Sequence, residues 1–202
     1  MCSSDLAEIN GLTIAGIADP QFTPDKSEAP PEADADAPDS SPLLRSGTDL
    51  ANTIRASKTK VDVALVHDPA MAPPLAGTVP VVLAGHLHKR EVSMLSAPAA
   101  DEDGGVSPAP SGTAAPVLTR LMVEGSTGGA GLRGLEKEEP TPLALSVLYF
   151  DEQNELKAYD DIRLAGTGQS QVTLERKVVG ADPVPTANPS VYNGITPSRQ
   201  GP

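Results

Sequence analysis

The sequence predicts an α/β fold in which a mixed β-sheet forms part of an α/β sandwich. Three observations carry that reading. Short apolar runs bounded by turn residues recur along the chain, as buried strands do. One stretch between the first two runs has helical rather than strand spacing. Beyond residue 142 the pattern changes to strand-like runs joined by a turn, so hairpins follow a strand–helix–strand start.

Gly11-Leu-Thr-Ile-Ala-Gly-Ile-Ala18 reads as the first buried strand. Residues 20–42, rich in Pro, Asp, Glu and Ala, read as a surface insertion or disordered loop. Leu50 and Ile54 stand four apart with Asp49 near the start, which predicts a helix over 47–57. Val61-Asp-Val-Ala-Leu-Val66 is a second strand, running into His67-Asp68-Pro69. After a proline-interrupted segment, Val79-Pro-Val-Val-Leu-Ala84 is a third, running into Gly85-His86-Leu87-His88. Residues 89–95 alternate weakly, 96–116 are low-complexity Ala, Pro, Gly and Ser, and 117–123 are strand-like again. Residues 143–150 and 155–164 read as strands joined by a turn at 151–154, and 171–179 as a last strand. Residues 181–202 hold five prolines and few large apolar residues, which predicts a disordered tail. The chain thus divides into residues 1–6, a domain over 7–180 with low-complexity insertions near 24–43 and 96–116, and the tail.

With 202 residues the chain is long enough for one domain with a core. Its 21 prolines, 18 glycines, 2% aromatic content and lack of Trp leave that core to Val, Leu, Ile and Ala. A net charge of −12 disfavours nucleic acid or an anionic membrane as partner, and no apolar run is long enough to span a bilayer. Much of the negative charge falls in irregular runs, residues 28–39 and 101–103, where solvated acidic loops are the simplest reading. A single cysteine, Cys2, excludes an internal disulfide and a cysteine-based zinc site. The start is unusual. Cys2-Ser3-Ser4-Asp5-Leu6 is what TGC-TCT-TCC-GAT-CT encodes, a string resembling the end of a sequencing adapter. Residues 1–6 are therefore expected to be adapter read-through, with the gene continuing upstream.

The chemistry rests on the three histidines of the chain, His67, His86 and His88. Open α/β sheets bind ligands just beyond the carboxyl ends of their strands, and two apolar strands run directly into these residues. Neutral imidazole ligates zinc, iron and manganese, and its other ring nitrogen needs an acceptor. Asp19 and Asp68, each at a strand end, are candidates for that acceptor, although a turn before proline and a strand-end cap account for them more simply. On an extended segment His86 and His88 would share one face, with Leu87 in the apolar layer; a curled segment would let the two rings reach different ions. Gly85 removes a side chain where backbone would pass close to such a centre. A lone strand-end histidine is more often a polar cap. Three of three at strand mouths leave the cap and ligand readings evenly balanced on spacing alone.

Other His-x-His folds do not fit. Metallo-β-lactamase-like hydrolases continue with Asp and His, where this chain has Lys89 and Arg90. Cupins need a Glu a few residues later in a glycine-framed motif, and Glu91 comes too early. Amidohydrolases place further ligands downstream, where this chain has no histidine.

Leu65-Val66-His67-Asp68-Pro69 followed by Leu83-Ala84-Gly85-His86-Leu87-His88 resembles the last two motifs of calcineurin-like metallophosphoesterases of bacterial type. Residues 16–25 and 123–134 look similar as well, so the resemblance covers roughly residues 12–179. It implies a partial metallophosphoesterase-like β-sandwich flanked by helices, with disordered acidic and Pro-rich loops and tail. It further implies hydrolysis of phosphate mono- or diesters at a centre of two divalent ions, zinc, iron or manganese. His67 and His86 would hold one ion and His88 the other. In such centres a water shared by the ions attacks phosphorus in line while the ions neutralise phosphate oxygens. Backbone N–H groups of Thr127, Gly128 and Gly129 would face the phosphate. The family's early motifs, Asp-x-His, Gly-Asp-x-x-Asp and Gly-Asn-His-Glu or Gly-Asn-His-Asp, do not occur here. They supply the bridging carboxylate and the histidine that assists the leaving group, and they belong upstream of Leu12. The 202-residue chain is thus expected to be the C-terminal half of an enzyme and inactive alone.

Gly129-Ala-Gly-Leu-Arg-Gly134 matches the dinucleotide fingerprint, yet residues 135–140 give no helix to present its N-terminus to a pyrophosphate, so a flexible glycine turn is the better reading. Lys89 and Arg90 would steer an anionic substrate or are ordinary exposed residues after a strand. Two alternatives stay beside the hydrolase: a non-catalytic binding or scaffold domain, and an incomplete reading frame whose unpaired strand edges favour aggregation.

Overall fold

The computed structural model describes residues 4–20, 41–95, 118–127, 143–164 and 171–181. Most of the acidic insertion, the 96–116 segment, the glycine run 129–134 and the tail beyond Ala181 lie outside the described residues. Within them the chain is mostly β-sheet with one α-helix. The elements are β1 (Ser4–Ile9), β2 (Leu12–Ile17), α1 (Pro42–Ala56), β3 (Val63–Leu65), β4 (Val81–Ala84), β5 (Glu91–Leu95), β6 (Thr119–Val123), β7 (Leu143–Phe150), β8 (Leu156–Leu164) and β9 (Val172–Val178). Two short 3-10 turns, Pro69–Met71 and Pro73–Leu75, join β3 to β4.

Six strands form one sheet in the order β1-β2-β3-β4-β6-β5, and β7-β8-β9 form an antiparallel second sheet. Strands β2, β3, β4 and β6 run parallel, with β1 and β5 antiparallel at the edges. The register sets Ala15 beside Ala64, Ala64 beside Val82, and Val82 beside Leu121. All four are fully buried, as expected where a parallel sheet is covered on both faces. On one face α1 packs through Leu50, Ala51 and Ile54, together with Met71 and Leu75 of the 3-10 turns. Fully burying each such large side chain contributes roughly 1.5–3 kcal/mol. On the other face Val63, Val81 and Met122 meet Leu156 and Tyr159 of β8.

The helix begins at Pro42, five residues before the position its apolar spacing predicts. Ser41 caps it, its hydroxyl accepting from Leu44 N at 3.2 Å, and Pro42 occupies the first turn, where its missing N–H has no intrahelical partner to lose. A strand that the sequence reading omitted, β1, pairs with β2 through a turn in which Asn10 and Gly11 both have positive φ, 50° and 87°. Asn-Gly between strands is a strong hairpin signal and could have revealed it. Residues 4–6, assigned above to adapter read-through, form the first half of that strand. Edge pairing is made by backbone and asks little of side-chain identity.

The second sheet is cross-linked on β7, β8 and β9. Arg176 donates from Nε to Asp160 Oδ1 at 2.7 Å and from Nη2 to Asp160 Oδ2 at 2.8 Å, while Tyr149 Oη donates to Asp160 Oδ2 at 2.8 Å. These bonds hold the Asp160 carboxyl below its ordinary range. The turn at 151–154 is tied to the first sheet: Asn154 Nδ2 donates to Gly11 O at 2.7 Å.

Glycine is required at 47. A Cβ there would lie 2.0 Å from the Met71 carbonyl oxygen, so α1 sits on the first 3-10 turn only because that atom is missing. Gly47→Ala is expected to destabilise the chain by roughly 1–3 kcal/mol in urea denaturation, despite alanine's better helix propensity. An unchanged or higher midpoint would show that α1 does not pack there.

Candidate metal centre

His67 follows β3 and His86 follows β4, and the pairing of these strands continues past their ends. Val66 N donates to Leu83 O at 3.0 Å and Gly85 N donates to His67 O at 2.9 Å, so both imidazoles leave the sheet at one level. Their centroids are 5.1 Å apart with the planes at 78°, and His67 Nε2 stands 3.2 Å from His86 Nδ1. Asp19, two residues beyond β2, places Oδ2 4.0 Å from His67 Nε2. Asp68 places Oδ2 3.6 Å from His86 Nε2. The carboxylates are the more buried, at 6% and 16% exposure against 39% and 52% for the rings, so the acids sit inside and the imidazoles at the mouth.

Two nitrogens bound to one tetrahedral ion at the usual metal–nitrogen length of roughly 2.0–2.1 Å stand about 3.3 Å apart. The observed 3.2 Å fits that separation, and it equally suits a ring N–H donating to a ring nitrogen. The donor chemistry therefore fits a divalent ion at the pair. Among the described residues, no group of three or more His, Cys, Asp or Glu side chains is arranged to hold one.

The Gly85-His86-Leu87-His88 segment is curled, not extended. Leu87 N donates to Gly85 O at 2.7 Å, which makes His86 the centre of a γ-turn with φ at 64°, the rare and strained form. His88 also has positive φ, 53°. Each non-glycine residue in such a region costs on the order of 1–3 kcal/mol. Leu87, packed against the main core, anchors the curl. His88 is exposed, and its side chain makes no hydrogen bond or ion pair among the described residues. The structure therefore brings together His67, His86, Asp19 and Asp68, and no hydrogen bond or ion pair among the described residues joins His88 to them.

Asp68 caps the turn that follows β3. Its Oδ1 accepts from Ala70 N at 2.8 Å, capping the 3-10 turn, and this leaves Oδ2 towards His86. Gly85 is not demanded by space, since a Cβ there would meet only the His67 carbonyl at 3.7 Å. Thr127 is exposed beyond the end of β6, and Gly128 and Gly129 lie outside the described residues.

Arg90 corrects an expectation. Far from being exposed, its side chain is 4% accessible, with Nε 2.7 Å from Asp161 Oδ1 and Nη1 3.3 Å from Glu124 Oε1. It locks the start of β5 to β8 and is neutralised, so it does not steer an anion. Burial pushes the Glu124 carboxyl above its ordinary range, against the pull of Arg90. A lone Arg after His-x-His gave no sequence sign of this, because both partners are distant along the chain.

No family model matches the chain, and no curated protein matches it. The metallophosphoesterase resemblance therefore rests on the motifs quoted above.

The strain at His86 is measurable. His86→Gly is expected to leave stability unchanged or to raise it by up to about 1 kcal/mol in urea denaturation of the metal-free chain. His86→Val should lower it. A loss on glycine substitution comparable to that on valine would mean that His86 is not strained.

Proposed function

We propose that the chain carries part of the centre of a metal-dependent phosphoester hydrolase acting on phosphate mono- or diesters. One observation carries the reading: the 3.2 Å approach of His67 Nε2 and His86 Nδ1 at the carboxyl ends of adjacent parallel strands, with a carboxylate beside each ring. The helix on one face of the six-stranded sheet and the second sheet on the other support the sandwich that the resemblance implies.

In that reading His67 and His86 hold one divalent ion and His88 contributes to a second, the metals being zinc, iron or manganese. When bound, such ions polarise phosphate oxygens and supply an activated water. The chain's own residues prepare the place. The two rings offer nitrogen donors at the sheet mouth, and Asp68 Oδ2 stands 3.6 Å from the opposite ring nitrogen of His86, placed to orient that ring if the gap closes on metal binding. Asp19 adds negative charge beside His67. Lys89, exposed where Arg90 is not, is the cation left to meet an anionic substrate.

The lack, among the described residues, of any hydrogen bond or ion pair from His88 to the pair favours a second reading, a binding or scaffold domain that keeps the histidine pair without catalysis. The two separate on whether a preceding segment supplies the Asp-x-His, Gly-Asp-x-x-Asp and Gly-Asn-His motifs. The extended chain, assayed with manganese and a chromogenic aryl phosphodiester, is expected to turn over, while the 202-residue chain alone is not. Asp68→Asn should lower the extended chain's activity roughly 10–100-fold, and His67→Ala should lower it further. An extended chain that binds metal yet never hydrolyses the ester would overturn the hydrolase reading, and equal turnover by the 202-residue chain would overturn its holding only part of the centre.

A further inference from the structure

At the opposite end of the parallel strands lies a cavity of about 600 Å³. It opens around the amino ends of β3, β4 and β6, at Val61, Val81 and Arg120, whereas the histidines sit past the carboxyl ends. Its size falls within the roughly 300–1,000 Å³ typical of small-molecule sites. Most of the wall is apolar, including Ile54, Met94, Leu156 and Val179. Met94 is the adaptable kind of side chain that fits itself to an irregular apolar guest.

The buried cation in the wall is Arg120, 8% exposed. Its guanidinium lies over the Tyr159 ring at 5.9 Å. Among the described residues its side chain makes no hydrogen bond and no ion pair, and Nη1 is fully buried without a partner. The other charges lining the cavity are spoken for differently. Lys60, itself a cation, pairs with Asp62 at 3.2 Å, and the carboxylate of Glu155 pairs with Lys157 at 2.6 Å and not with Arg120. Lys58 lines the cavity, is exposed, and has no ion pair among the described residues.

A buried guanidinium without an acceptor is costly, and this one lines a mostly apolar wall within a chain of net charge −12. A carboxylate matches its planar fork through two parallel charge-assisted hydrogen bonds. One buried cation calls for one negative charge, which favours a monoanion over a phosphate dianion. We propose that this cavity binds an amphipathic monocarboxylate, an apolar chain with a single acidic head, held by Arg120 with Lys58 at the rim. The site is independent of the histidine pair and does not rest on the hydrolase reading.

Isothermal titration of the 202-residue chain with decanoate and with 1-decanol, both below their aggregation limits, tests this. Decanoate is expected to bind one to one and about tenfold or more tighter than the alcohol, the margin that hydrogen bonds to a charged group supply. Arg120→Met keeps the bulk and removes the charge, so it should erase that preference while the melting temperature holds or rises. His67→Ala should leave decanoate binding unchanged. Equal binding of acid and alcohol, absence of saturable binding, or an intact preference in Arg120→Met would each overturn the assignment.

Discussion

Four residues on four parallel strands, Ala15, Ala64, Val82 and Leu121, lie side by side with none exposed, and the rest of the molecule is arranged around that row. Because strand side chains alternate between faces, a slip of one residue in any pairing would turn an apolar set from helix to opposite sheet. Both faces are covered, so the register is specified twice: by α1 above the row and by Leu156 and Tyr159 below Val63, Val81 and Met122. The small Ala15 and Ala64 also leave room for the helix, whose own Gly47 makes space for the Met71 carbonyl. Strand ends held at one level follow from the same register, and with them the meeting of His67 and His86.

The candidate centre combines a rigid base with a strained rim. Two backbone hydrogen bonds prolong the β3–β4 pairing up to His67 and Gly85, and the chain then turns sharply with His86 and His88 at positive φ. Core packing of Leu87 holds that turn in place, so the fold bears a local cost to aim His86 at His67. Beneath the rings, Asp68 is fixed by its bond to Ala70 N, and Arg90 clamps Asp161 and Glu124 behind the sheet. The charge nearest the site is thus arranged chiefly to brace the scaffold.

Much of this was legible in the sequence. Runs such as Val61–Val66 and Val79–Ala84 are short, apolar and bounded by turn residues, and they became β3 and β4 with histidines at their ends. The hairpin at 151–154 was signalled by its turn residues, and Asp151 holds it by accepting from Gln153 N and Glu155 N at 3.0 and 2.8 Å. Helix α1 starts earlier than its apolar spacing indicates because its first turn is written by a Ser-Pro cap inside a proline-rich stretch, where composition masks the signal. Strand β1 was passed over although Asn10-Gly11 announces a tight hairpin. Arg90 and Arg120 carry no local sign of burial, since it comes from Asp161 and Tyr159 of β8, far along the chain. Pairing of distant elements is decided by tertiary packing, which a local pattern does not encode.

The most direct measurement is a histidine-selective NMR titration of the 202-residue chain with zinc. If the strand register preorganises one donor pair, the ring signals of His67 and His86 should move together and saturate at one equivalent, with His88 unaffected at that point. Independent movement of His67 and His86, or His88 responding first, would contradict a site built by the parallel pairing of β3 and β4.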